Sequence, residues 1–141
     1  MTVTLQQANA IIAGALDKAA ELGLKPLSVA VLDSGGHLVA FQRQDGSSLM
    51  RFQIANGKAA GALALGMPSR KIAEMAAERP SFVASLSSIA PAGLVPAPGG
   101  LLLTDAAGVI IGAVGISGDT SDNDEACAFA GIAAAGLSAG G

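Results

Sequence analysis

Histidine and cysteine, the side chains that most often carry nucleophilic or metal chemistry, each occur once in this 141-residue chain, as His37 and Cys127. A single histidine excludes His–His metal sites and leaves a nucleophilic triad no spare imidazole. A single cysteine excludes an internal disulfide and a thiolate zinc site, so no metal-ligand set is expected. His37 stands beside Gly36 at the start of an extended segment. There it either hydrogen-bonds the turn or acts as a ligand or proton-transfer group. Cys127 lies in an Ala-rich run, the place of a small buried hydrophobe.

Charged residues make up only 13% of the chain, so a charge near a strand end is a candidate for serving a pocket. Arg43 and Asp45 leave the end of one apolar segment and Lys58 sits in the helix that follows, a set read as compact. Such a set either lines a pocket or forms a salt bridge that fixes the strand-to-helix turn. In a pocket, Arg43 or Lys58 would hold a carboxylate, and Asp45 or His37 would move a proton. Gly99 and Gly100 precede a strand rather than a helix, which excludes a dinucleotide fingerprint or P-loop; they would let a ligand approach the backbone. Asp122, Asp124 and Glu125 read as first-turn acids favoured by a helix N-terminus. Glu74 and Glu78, with Arg70 one turn earlier, read as a solvated, partly paired helix face.

The elements that must position these groups are legible in outline. Thr4 with Gln7 forms a capping box before an amphipathic helix over residues 4–22, which stops at Gly23. LSVAVLD (27–33) and HLVAFQRQ (37–44) flank Ser34-Gly35-Gly36 as an antiparallel hairpin. A second helix runs to Gly66 with caps offered by residues 45–48, and its Gly57 and Gly61 imply close approach of another backbone. A third helix starts at Ser69 and ends before Pro80; residues 81–87 add another turn or two. Residues 88–100 form a Pro/Gly-rich connection suited to a pocket wall. LLLTD (101–105) and VIIGAVGIS (109–117) make a second hairpin, apolar enough to be covered on both faces. Ser121 caps a last helix of small residues, expected to lie on the sheet or against a partner subunit. The order predicts a single α+β domain over residues 1–141, with helices outside an antiparallel sheet.

All eight Lys and Arg lie in residues 1–79 and five of the eleven acids in 80–141, leaving the second half without a base. With a pI near 4.9 and no Trp or Tyr, nothing supplies the basic, aromatic-rich surface that nucleic-acid binding requires. The uncharged stretch 80–104 is broken by prolines, glycines and serines, which argues against a membrane span. The N-terminus lacks a basic segment followed by an apolar run, so the expected location is cytoplasmic.

Taken together, VAVLDSGGHLVAFQRQDG, IANGKAAGALALGMPSR and PGGLLLTDAAGVIIGAVGISGDTSDNDEACAFAGIAA resemble the GlcG/HbpS family of haem-binding or haem-degrading domains, across about residues 4–136. The resemblance implies a profilin-like α-β-α sandwich, with a five-stranded antiparallel sheet flanked by helices, assembled as homo-oligomers from dimer to octamer. Its characteristic polar positions fall on Arg43, Asp45 and Lys58, with Gly99, Gly100, Gly115 and Ser117 shaping the turns. Some relatives ligate haem through a histidine of the first helix. Residues 4–22 contain none, so iron ligation here falls to His37, a Met, Cys127 or a hydroxyl such as Thr104.

Two functions follow. One is a domain that binds a small ligand, haem or another tetrapyrrole, near Arg43, Asp45 and Lys58, with cations meeting propionates. The other is a cofactor-independent lyase or isomerase acting on a small carboxylated metabolite.

Overall fold

The computed structural model describes residues 1–141. The elements are α1 (Leu5–Leu22), β1 (Ser28–Asp33), β2 (Leu38–Arg43), α2 (Arg51–Leu65), α3 (Ser69–Glu78), α4 (Pro80–Ile89), β3 (Gly100–Thr104), β4 (Ile110–Ser117), α5 (Ser121–Ala134) and β5 (Ser138–Gly140). The strands form one antiparallel sheet in the order β2-β1-β4-β3-β5. Helices α1 and α5 cover one face, and α2 covers β1, β3 and β4 on the other. This is the α+β architecture expected from the sequence.

Both hairpins turn by the same device. In the first, Asp33 Oδ1 accepts the N–H groups of Gly35 and His37, and Gly36 takes a positive φ of 84°. In the second, Asp105 Oδ1 accepts from Ala107 and Val109, and Gly108 takes a φ of 79°. An acid at the first position satisfies the turn donors and a glycine supplies the left-handed residue, so the chain reverses without orphaned N–H groups. Strand β3 is buried throughout and β4 at all but its first residue, as a sheet covered on both faces requires.

Thr4 and Gln7 make the reciprocal capping box of α1, and Gly23 closes it in the left-handed conformation. Its face Ala8, Ile11, Ile12, Ala15 and Ala19 packs with Val29, Val31, Leu101, Leu103, Val114 and Ile116 into the main core. The small residues of α5 are used chiefly against α1: a Cβ on Gly131 would run into the Ile11 carbonyl oxygen. On the other face, Leu32, Leu102 and Ala113 meet Ala59, Ala60 and Ala62 of α2. A Cβ on Gly115 would overlap the Ala55 carbonyl oxygen, so helix and sheet approach as close as backbones allow.

Three local expectations differ from the structure. Helix α2 begins at Arg51 with no side-chain cap, because residues 45–50 are used as a loop. Thr120, not Ser121, caps α5 by accepting from the Asn123 N–H. Residues 80–89 are a full helix, started by Pro80 in the first turn where its missing N–H costs nothing. The close approach expected at Gly57 and Gly61 comes from the connection into β3: the Val95 side chain lies against Gly57, and the side chain and Cα of Leu94 lie against Gly61. Leu94 also completes a separate small core with Ile72 and Val83 between α2, α3 and α4.

Candidate functional site

The residues singled out in the sequence fall into three places. The first is buried. Lys58 leaves α2, passes over Gly99 and Gly100, and reaches the end of β4, where Nζ donates to Ile116 O at 2.8 Å and to Asp124 Oδ2 at 3.1 Å. Lys58 is 2% exposed and Asp124 1%. A Cβ on Gly99 would lie 2.9 Å from Lys58 Nζ, and one on Gly100 would meet the Lys58 carbonyl. Gly99 therefore clears a path for the lysine side chain, Gly100 lets the α2 backbone approach β3, and both are themselves buried. Burial pulls the Lys58 ammonium below its ordinary pKa against the pull of Asp124, and burial raises the Asp124 carboxyl against its hydrogen bonds. The ion pair is desolvated, and its remaining oxygen Oδ1 accepts the Asp119 N–H at 3.0 Å.

Asp124 is the functional partner the sequence reading missed. The acids of α5 do more than complement a helix terminus: Asp124 neutralises Lys58, while Asp122 and Glu125 both pair with Arg70 of α3. Arg70 thus faces α5 rather than Glu74. The base-free second half of the chain meets its cations across the fold.

The second place is the far end of β2, where Arg43 and Asp45 are exposed. With Leu24, Pro26 and Gln44 they border an open depression of about 450 Å³. Lys58 is not among these residues, so Arg43, Asp45 and Lys58 do not form the compact set expected from their spacing. Lys58 turned inward because it is surrounded by alanines and glycines and had to find an acid or remain unpaired.

The third place is the β1–β2 turn. His37 borders a cleft of about 410 Å³ lined by Ser34, Gly35 and Gly36 on one side, Ala60, Leu63 and Ala64 of α2, and Pro91 to Gly93 opposite. The imidazole is 82% exposed, with Nδ1 3.3 Å from Asp33 Oδ1. Nε2, on the other side of the ring, faces away from the acid. The His37 backbone N–H, followed by the Gly35 N–H and the imidazole, holds the Asp33 carboxyl below the usual carboxylate range. A Cβ on Gly35 would stand 3.0 Å from the ring, so glycine there makes room for the imidazole. His37 and Arg43 lie at opposite ends of β2, roughly 20 Å apart at ~3.3 Å per residue.

Of the other ligands considered for iron, Cys127 is buried and Thr104 spends its hydroxyl on Ser138 O at 2.9 Å. No helix is long and apolar enough to cross a membrane.

Comparison with known proteins agrees with the fold. The structure is similar to PduOC in a complex with haem, at 23% identity and TM-score 0.88 over 100% of both chains. It is also similar to a double mutant of Streptomyces reticuli HbpS, at 29% identity and TM-score 0.81 over 94% of this chain and 86% of that one. A third likeness is to Klebsiella pneumoniae ORFY, at 26% identity and TM-score 0.86 over 96% and 92% of the two chains. No curated protein gives a match. The family model described as haem degrading protein HbpS-like matches residues 3–133, and the chain belongs to that family.

Proposed function

We propose that this protein binds haem or another tetrapyrrole in the cleft beside the β1–β2 turn, with His37 Nε2 as the iron ligand. The observation that carries the reading is the single imidazole of the chain, held by Asp33 at the rim of a cleft with apolar walls. Family membership and the haem complex of a structural neighbour support it. The residues present fit the group. Leu63, Pro91 and the alanines offer apolar contact to a macrocycle, the turn glycines allow close approach, and the Asp33 carboxylate beside Nδ1 orients the ligating ring. Bound haem would supply redox-active iron. The chain's own part is to orient the imidazole and keep water from one side of the ring.

Titration of the purified protein with hemin tests this. The expected result is a Soret shift that saturates at a defined stoichiometry and disappears in His37→Ala. A shift that never saturates would overturn haem binding, and one unchanged in His37→Ala would remove His37 as ligand. Self-association as a homo-oligomer, dimer to octamer, belongs to the same reading, and light scattering with and without hemin measures it. The lyase or isomerase reading has less support, because Arg43 and Asp45 are the only members of its set that share a pocket.

A further inference from the structure

One end of the sheet carries two arginines, Arg43 and Arg51, that make no ion pair. In the β1 pairings, Ser28 stands opposite Arg43 of β2 and opposite Ser117 of β4. Directly opposed residues of antiparallel strands share a face, so Arg43, Ser28 and Ser117 form a row across three strands. The face is that of α2, because Phe41, two residues before Arg43, meets Phe52 edge-on at 4.8 Å between ring centroids. Above the row, Arg51 Nη1 donates to Ser117 Oγ at 3.0 Å, and Ser47 Oγ lies 3.0 Å from Ser28 Oγ. Ser28 and Ser117 are fully buried.

The ion pairs of the chain use Lys18, His37, Lys58 and Arg70, so neither Arg43 nor Arg51 has a carboxylate partner. Arg51 spends one of its five N–H donors on Ser117 and has the rest free. Its charge is felt inside the fold, where it adds to the lowering of the Lys58 pKa. An anion at this end would relieve that repulsion, and the planar fork of a guanidinium matches a carboxylate. One acid works against it: Asp45 borders the depression beside Arg43.

We propose that Arg51 and Arg43, backed by Ser117 and Ser28, bind the carboxylate of a small organic ligand. That carboxylate comes either from a free carboxylic acid or from the propionate of a tetrapyrrole. The site lies at the opposite end of β1 and β2 from His37 and stands independently of the haem reading.

The test is an NMR titration that follows the Arg51 Nε–H and Ser117 amide resonances, with sodium chloride at matched ionic strength as control. One arm adds sodium succinate; the other adds metal-free protoporphyrin IX or its dimethyl ester. Saturable shifts with succinate assign a free acid. Saturable shifts with protoporphyrin IX, absent with the ester, assign a propionate. Either result supports the site, and in both cases Arg51→Gln weakens binding about tenfold or more while Asp45→Asn strengthens it. Shifts that stay linear in every arm, or equal binding by Arg51→Gln, overturn the proposal. If Arg51→Gln does not fold by circular dichroism, Arg43→Gln at the exposed position carries the same comparison. His37→Ala abolishes the hemin Soret shift and leaves succinate binding intact, so failure of one assignment is distinguishable from failure of the other.

Discussion

Replacing Lys58 by methionine keeps most of the apolar stem but strands the Asp124 carboxylate, 1% exposed, with only backbone donors around it. At the observed 3.1 Å the gross attraction is about 5 kcal/mol for an effective dielectric of ~20, and most of it offsets the desolvation of the two ions. The net cost of losing one partner is larger than the net worth of the pair, about 3–5 kcal/mol, a large part of the 5–15 kcal/mol that holds a typical domain together. Urea unfolding of Lys58→Met should therefore show a midpoint far below wild type with an unchanged slope.

Asp124→Asn should be milder, because the amide oxygen still accepts and the stranded ammonium can give up its proton. Its pH dependence is the sharper test. The folded-state pKa of Lys58 is already lowered by burial, and loss of its counterion lowers it further. Above that value the unfolded chain binds more protons than the folded one, so the stability of Asp124→Asn rises with pH until the ordinary lysine pKa of 10.5 is reached. A loss in Lys58→Met under about 1 kcal/mol, together with an Asp124→Asn stability that is flat from neutral pH upward, would refute the argument that this pair is desolvated and mutually dependent.

Four further outcomes follow. Gly115→Ala places a methyl on the Ala55 carbonyl oxygen and should lower stability by more than about 3 kcal/mol. Gly57→Ala meets the Val95 side chain, at 2.7 Å, and gains helix propensity, so its stability by urea unfolding should stay within about 1 kcal/mol of wild type. Burial first, and the charge of Asp124 second, pushes the Cys127 thiol up to about 11. Ellman's reagent at pH ~8 should find roughly a hundredfold less thiolate than an exposed cysteine offers, with full reactivity in urea. Asp119, held down to about 2 by the Asn123 side chain and the Thr120 and Lys25 N–H groups, contributes stability present above pH 3.8 and lost as pH falls toward 2. Acid titration of Asp119→Asn should be shallower over that interval.

What the sequence revealed and what it hid have a common physical reason. Local chemistry was legible: the Thr4–Gln7 capping box, the glycine turns at Gly36 and Gly108, and the apolar strands all act within a few residues. The Lys58–Asp124 pair spans 66 positions, and its acid stands among Asp122 and Glu125, which carry the same helix-terminal signature. The available signal was on the other side: a lone lysine inside NGKAAGALA has only Ile54, Ala55, Gly61 and Ala62 three and four residues away on its helix, and so must find a polar partner elsewhere. Helix α4 was under-read because its serines favour turns, although Pro80 marked its start. Strand β5 has no strand propensity in Ser-Ala-Gly and exists because β3 offers it an edge. Arg51 drew no notice between Met50 and Phe52; its meaning depends on Ser117 being opposite Ser28, a property of strand register alone.

The cluster of Ile72, Val83 and Leu94 has a consequence for how anything enters the His37 cleft. Helix α3 is also fastened by the Arg70 pairs with α5 and the Ser69–Gly100 hydrogen bond, but α4 and the connection through Pro91 and Gly93 are held chiefly by these three side chains, at ~1.5–3 kcal/mol each, whereas the sheet is anchored on both faces. This appendage can breathe away from α2 while the strands stay paired, at a fraction of the free energy of global unfolding. Since Pro91, Ala92 and Gly93 form one wall of the cleft, its mouth widens with each such opening. Access to the cleft would then depend on a miniature core whose own side chains do not line it.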